Sequence, residues 1–242
     1  STRVRSSAAS DVYKRQVCYM DYEKLDAILV ILQDFIDFIN KQVGVYCDCI
    51  SSFIGNKVRV ERQKARVNYP TSKSIKNGQP SVMWSSYEDP NSPDVLHHRI
   101  IKVDDFINVN SEKGFNEQQI TWAIIVFIFA YWDEEIRPKI AKIKNTEPNN
   151  IRVNEFGDLR ILRKSIIHNS GILTQTEYDK LTVLKDLVTP NCKITLSHDQ
   201  MHKLFIHMKQ GIARIACEYT GNLPGTPDIN KITGIAIQTN NK

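Results

Sequence analysis

Apolar positions recur at three- and four-residue steps through residues 21–42. Leu25, Ile28, Leu29, Leu32, Phe35, Ile36 and Ile39 fall on one stripe there and predict an amphipathic helix. Residues 43–66 are less regular: aromatic and β-branched residues precede a charged, alternating stretch, which either continues the helix or supplies a short strand. Between Tyr69 and Pro93 lie four prolines, several serines and an Asn77-Gly78 turn signal, the pattern of a long surface loop or insertion. A second long helix is expected over residues 116–144. Its part from 120 to 131 is apolar almost all round, as the buried centre of a fold would be, and Pro138 should kink or end it. A third helix begins with Asn154 as its cap and stops at Asn169-Ser170-Gly171. A fourth covers residues 176–187, followed by a turn at Thr189-Pro190-Asn191 and a short strand over 193–196. Ser197 then caps a last helix reaching about Tyr219. The tail from Gly221 is rich in Pro, Gly and Asn, with a candidate strand over 232–237. The expected fold is mostly all-α, with one long Pro-rich loop and one or two short strands.

Residues 6–16, SSAASDVYKRQ, resemble the in-frame translation of a sequencing adapter, so residues 1–16 are expected to be a non-native leader and the natural sequence to start near Val17. The alternative is a basic, Ser-rich targeting peptide. The division that follows is 17–68 for an N-terminal helical part, 69–110 for the loop or insertion, 111–220 for the helical core and 221–242 for the tail.

Charge reads differently once the leader is set aside. Of the formal net charge of +5, Arg3, Arg5, Lys14, Arg15 and Asp11 supply +3, leaving +2 for the rest. Nucleic acid would therefore have to be met by a local patch rather than by the field of the whole protein. The longest apolar run, residues 122–132, is far short of the roughly 20 residues of a membrane-spanning helix. Five cysteines, at 18, 47, 49, 192 and 217, do not read as a disulfide framework or a zinc site, and a reducing, cytoplasmic setting is expected.

Residues 159–168 carry the candidate chemistry. At about 100° per residue, Leu159, Leu162, Ile166 and Ile167 share an arc facing the core, with Arg160, Lys164 and His168 as a basic stripe beside it. Arg163 falls inside the apolar arc. An uncompensated buried charge is costly, so Arg163 must meet a carboxylate, cross a subunit interface or line a watery groove. Asp133, Glu134 and Glu135 are the expected partners; Asp158, on the far side of its own helix, is less suited. His168 falls in the last turn, where a helix end attracts cations. An imidazole there offers proton transfer near neutral pH, beside cations suited to phosphate.

The segment Gly157-Asp158-Leu159-Arg160-Ile161-Leu162-Arg163-Lys164-Ser165-Ile166-Ile167-His168-Asn169 resembles the signature helix of HEPN domains (higher eukaryote and prokaryote nucleotide-binding). Their motif is an arginine, four to six residues and a histidine, which Arg163-x4-His168 matches. Lys164 stands where Asn, Asp or His is commoner. The preceding Tyr131-Trp132-Asp133-Glu134-Glu135-Ile136-Arg137 is similar to HEPN-type proteins of bacterial toxin and defence loci, so the resemblance spans roughly 116–219. It implies a helical bundle that dimerises so that two such helices face each other, with Arg163 and His168 of both subunits forming one metal-independent endoribonuclease site. Arg163 would bind the scissile phosphate, His168 would act as general acid/base and the ribose 2′-hydroxyl as nucleophile. Arg160 and Lys164 would grip the RNA backbone, Glu134 or Glu135 would orient Arg163, and Asn169 and Asp158 would support the site. No metal or cofactor is implied; the partners are RNA, a second copy and, in a toxin–antitoxin or phage-defence setting, an antitoxin. The alternative is a non-catalytic HEPN-like module that binds RNA, nucleotide or protein.

Plainer roles stand beside these. Arg163 also suits a buried salt bridge, Arg160 and Lys164 a solvated face, His168 an ordinary helix end and Asn169 a helix cap. His198, His202 and His207 lie on the last helix, the first two four apart and able to clamp a metal, although no acidic ligand stands at matching spacing; the His97-His98 pair after the Pro-rich loop reads the same way. Tyr69, Lys73, Lys76, Trp84 and Tyr87 combine aromatic and basic side chains suited to single-stranded RNA, or serve to anchor the loop.

Overall fold

The computed structural model describes residues 22–66, 81–87 and 95–220. The leader, Tyr69, Lys73, Lys76 and the candidate strand over 232–237 lie outside these residues, as do the side chains of Trp84, Tyr87, His97 and His98. Among the described residues the architecture is mostly helical, with two antiparallel two-stranded sheets.

The first helix, α1 (Tyr22–Arg66), runs unbroken for 45 residues, so residues 43–66 continue it and form no strand. Its buried side chains explain both its length and its ambiguity. Leu25, Leu32, Ile39, Tyr46 and Val60 repeat in register with a seven-residue period, and Ile28 and Phe35 form the second seam. Beyond Ile39 that second seam reads Gln42, Cys49 and Asn56, and the stripe narrows to single file.

The region expected as a loop contains structure. β1 (Ser81–Tyr87) pairs antiparallel with β2 (Val95–Lys102), with a register shift between Trp84 and Ser85. The second strand leads directly into α2 (Val103–Val109). Val103 and Phe106 pack with Val60 in a small cluster of their own near the end of α1.

α3 (Phe115–Tyr131) buries Ile124, Ile125 and Ile128 as expected, but not its whole circumference, since Phe127 is 60% exposed. Pro138 does not stop the rod. A π-turn (Trp132–Ile136) widens it, Arg137 N–H bonding to the Trp132 carbonyl five residues back, and α4 (Arg137–Ile143) follows with Pro138 in its first turn. A missing donor and a bulky ring are tolerated there, where they break no i→i−4 ladder.

After a 3-10 turn (Pro148–Asn150) comes α5 (Asn154–His168). Val153 occupies the N-cap position and no side chain caps it, so Asn154 is the first helical residue and not the cap expected. The stop is as expected: Asn169 and Gly171 N–H both return to the Ser165 carbonyl, with Ser170 and Gly171 at positive φ. β3 (Ile172–Leu173) then pairs with β4 (Cys192–Lys193). Between them the expected helix over 176–187 is reduced to α6 (Gln175–Asp179) and a 3-10 turn (Lys185–Leu187). The break has a clear cause. Asp158 takes the N–H groups of Thr182, Val183 and Leu184, which a continuous helix would have bonded to carbonyls four residues earlier.

The last helix, α7 (His198–Thr220), starts with a reciprocal capping box. Gln200 N–H bonds to Ser197 Oγ at 3.3 Å and Ser197 N–H to Gln200 Oε1 at 2.9 Å. α1 packs on α3, α4 and α7, while α5 packs on α3 and α7. At the centre Trp132 stacks on Phe156 at 4.2 Å, with Phe35 against both. This aromatic cluster seats α5 against the π-turn.

Candidate functional site

The geometry around α5 divides into a C-terminal end that carries the Arg-x4-His pattern and an N-terminal half that walls a cavity. At the C-terminal end, Arg163 is half-buried and His168 exposed, and neither makes a hydrogen bond or ion pair among the described residues. Five residues of helix separate their directions by roughly 140°. Ile167, on the arc close to Arg163, is 46% exposed rather than in the core.

The acidic residues expected to hold Arg163 do not reach it. Asp133 Oδ1 accepts from Arg137 at 2.8 Å and Glu135 Oε2 lies 3.0 Å from Lys139 Nζ, both i,i+4 pairs, while Glu134 is exposed. Local pairing on one helix satisfies those carboxylates before a neighbouring helix competes for them. Asp158, 2% exposed, is also not at the site. It holds Thr182 N–H at 2.9 Å, Thr182 Oγ1 at 3.2 Å, Val183 N–H at 2.6 Å and Leu184 N–H at 2.9 Å. Its role is to cap a turn.

The carboxylate that does meet this end of α5 is Glu177, a residue with no obvious mark in the sequence beyond its place three after Thr174. Its side chain accepts from Ser165 Oγ at 3.0 Å, Thr174 Oγ1 at 3.1 Å and Asn169 Nδ2 at 3.4 Å, with Lys164 Nζ at 3.5 Å. Burial alone would raise the Glu177 pKa. The donors from Ser165, Thr174 and Lys164 outweigh it and hold the carboxyl below the usual carboxylate range. Asn169 is thus the C-cap of α5 and a Glu177 ligand, while Lys164 is anchored at one point of an otherwise exposed side chain.

The N-terminal half faces a cavity of about 520 Å³ between α5, the π-turn junction, the connector before α5 and the turn after α6. Arg137, Arg152, Arg160 and Lys180 line it. Of these only Arg160 carries an expected RNA contact; Arg137, Arg152 and Lys180 come from separate elements and share no sequence motif. Arg137 is committed to Asp133, the Pro148 carbonyl at 2.7 Å and Asn149 Oδ1 at 3.3 Å. Arg152 has only a long contact to the Asn149 carbonyl, and Arg160 and Lys180 have no ion pair among the described residues.

A second cavity, about 570 Å³, lies between α1, the turn joining α2 to α3, the start of α3 and the start of α7, and includes Cys47, Glu117 and His198. Tyr46 beside it donates to Glu117 Oε1 at 3.3 Å and stacks on His198. Burial, then the Glu117 charge, pushes the Tyr46 hydroxyl pKa up. His202 is exposed, and among the described residues no three His, Cys, Asp or Glu side chains form a metal-binding group. Cys47, Cys49, Cys192 and Cys217 are free thiols. No helix among the described residues is long and apolar enough to cross a membrane.

Compared with protein-family models, curated proteins and solved structures, the chain matches none of them.

Proposed function

We propose that this chain acts on RNA through α5, as a metal-independent endoribonuclease of HEPN type assembled from two copies. The observation that carries the reading is Arg163: a half-buried arginine with no partner among the described residues, on the same helix as an exposed His168. A cation held this way is available to a phosphate. The roughly 140° between the two side chains favours a site shared between two helices over one made by a single helix. Exposed Ile167, on the arc close to Arg163, offers apolar contact for that pairing. In the shared site Arg163 stabilises charge on the scissile phosphate, His168 moves the proton of the ribose 2′-hydroxyl, and Arg160 holds the strand. Glu177 positions the end of the helix through Ser165 and Asn169. A toxin–antitoxin or phage-defence role belongs to this reading only by the family resemblance.

The test is cleavage of total RNA in EDTA, with ends mapped, for the wild type beside Arg163→Ala and His168→Ala. Cleavage leaving cyclic-phosphate ends, reduced about 10²-fold or more in either folded variant, is expected. Absence of cleavage by a folded wild-type dimer would exclude the nuclease. A non-catalytic RNA-binding module is the second reading. It is favoured by Lys164, whose amine is drawn to Glu177 rather than left free for substrate.

A further inference from the structure

The cavity at the N-terminal half of α5 has a charge pattern that the cleavage chemistry draws on only through Arg160. Arg137 is neutralised by Asp133, and the Asp158 carboxylate is saturated by the turn it caps. Three cations remain without an ion pair among the described residues, Arg152, Arg160 and Lys180, and they enter the cavity from three different elements. Set against Asp158, their excess is two positive charges. Like charges brought to one cavity repel each other, and nothing in the packing requires it, since Arg152, Arg160 and Lys180 are all exposed and free to point elsewhere.

We infer that this cavity binds a phosphate monoester, carried either on the end of a nucleic-acid strand or on a free nucleotide. A monoester bears about −1.5 to −2 charges at neutral pH. That matches the excess of two, whereas a backbone diester bears one. Arginine supplies paired donors to phosphate oxygens and lysine a point charge, so the set offers both modes. The volume of about 520 Å³ suits a nucleotide-sized group, within the roughly 300–1,000 Å³ of small-ligand sites. Its lining also includes the aromatic residues Phe129, Trp132 and Phe156. The site is distinct from the Arg163–His168 end, because neither residue lines it. From Arg160 to His168 is a rise of about 12 Å along α5.

Equilibrium binding by the full chain tests this, with AMP, inorganic phosphate and oligoribonucleotides bearing a 5′- or 3′-terminal phosphate or none. Arg152→Glu and Lys180→Glu, checked for folding by circular dichroism, should each weaken phosphorylated probes about tenfold or more, and removing the terminal phosphate should do the same. Tighter binding of the phosphorylated oligomer than of AMP assigns the strand end, and the reverse assigns a free nucleotide. Equal binding with and without the terminal phosphate, unchanged binding by both variants, or inorganic phosphate matching AMP would each overturn the inference. Arg163→Ala and His168→Ala should retain the binding of AMP and the preference for a terminal phosphate, since neither residue lines the cavity. If cleavage is absent while binding holds, only the nuclease reading fails.

Discussion

Replacing Asp158 separates a structural carboxylate from a functional one. Its two oxygens accept from Thr182, Val183 and Leu184 N–H and from the Thr182 hydroxyl. Thr182 is exposed, so water replaces its lost bonds; Val183 is half-buried and Leu184 buried, so their N–H groups have no such relief. Leaving a buried donor unsatisfied costs about 1–3 kcal/mol. Two of them, less the relief of no longer burying a charge, put Asp158→Ala at about 3 kcal/mol. Asp158→Asn keeps one acceptor oxygen and should cost about 1–2 kcal/mol, and Thr182→Ala, which removes one solvated hydroxyl, less than about 1 kcal/mol. Urea unfolding followed by circular dichroism reads the series: with an m-value of about 2 kcal/mol per M, Asp158→Ala lowers the midpoint by about 1.5 M. A stability within about 1 kcal/mol of the wild type for Asp158→Ala would refute the turn-capping account. So would loss of RNA cleavage in Asp158→Asn with stability unchanged.

Gly171→Ala should destabilise by about 2–4 kcal/mol, because φ is +79° and the added Cβ would stand 2.1 Å from Trp122 Cζ2; a urea midpoint near the wild type would contradict this. Gly44→Ala and Gly55→Ala in α1 should each stabilise by about 0.5–1 kcal/mol, since a Cβ at either meets nothing within 4 Å, and thermal unfolding checks it. Glu177 has a folded pKa below its unfolded one. Its contribution is therefore complete above the unfolded value of about 4.3 and is lost as pH falls through the depressed folded value. The stability gap between wild type and Glu177→Gln should accordingly close between neutral pH and strong acid, and a gap constant with pH would count against the Glu177 contacts to Ser165, Thr174 and Lys164.

Where a signal was local, the sequence was enough to place the element. The stripe from Leu25 to Ile39, the Asn169-Ser170-Gly171 stop and the Ser197 cap each rest on contacts within a few residues, and each is legible. The end of α6 was not, because the group that ends it is Asp158, 24 residues before Thr182. Nor was the β1–β2 hairpin, whose strand Ser81–Tyr87 lies among prolines and serines that read as loop. The partners assigned to Arg163 failed for a reason visible in the spacing. Arg137 and Lys139 stand four residues after Asp133 and Glu135 and claim them first. The cations of the cavity come together only in three dimensions, apart from Arg160.

The narrowing of α1 to a single file of contacts has a consequence for how the molecule opens. Between Tyr46 and Val60 no side chain of the helix is buried, and Gly55 lies in that stretch. On one side is the main bundle; on the other, Val60 joins Val103 and Phe106 in a separate small core. Backbone amides of residues 47–59 should therefore exchange with solvent hydrogen well before those of residues 25–39. The Val60 cluster and its hairpin should behave as a cooperative unit that unfolds while the bundle stays intact.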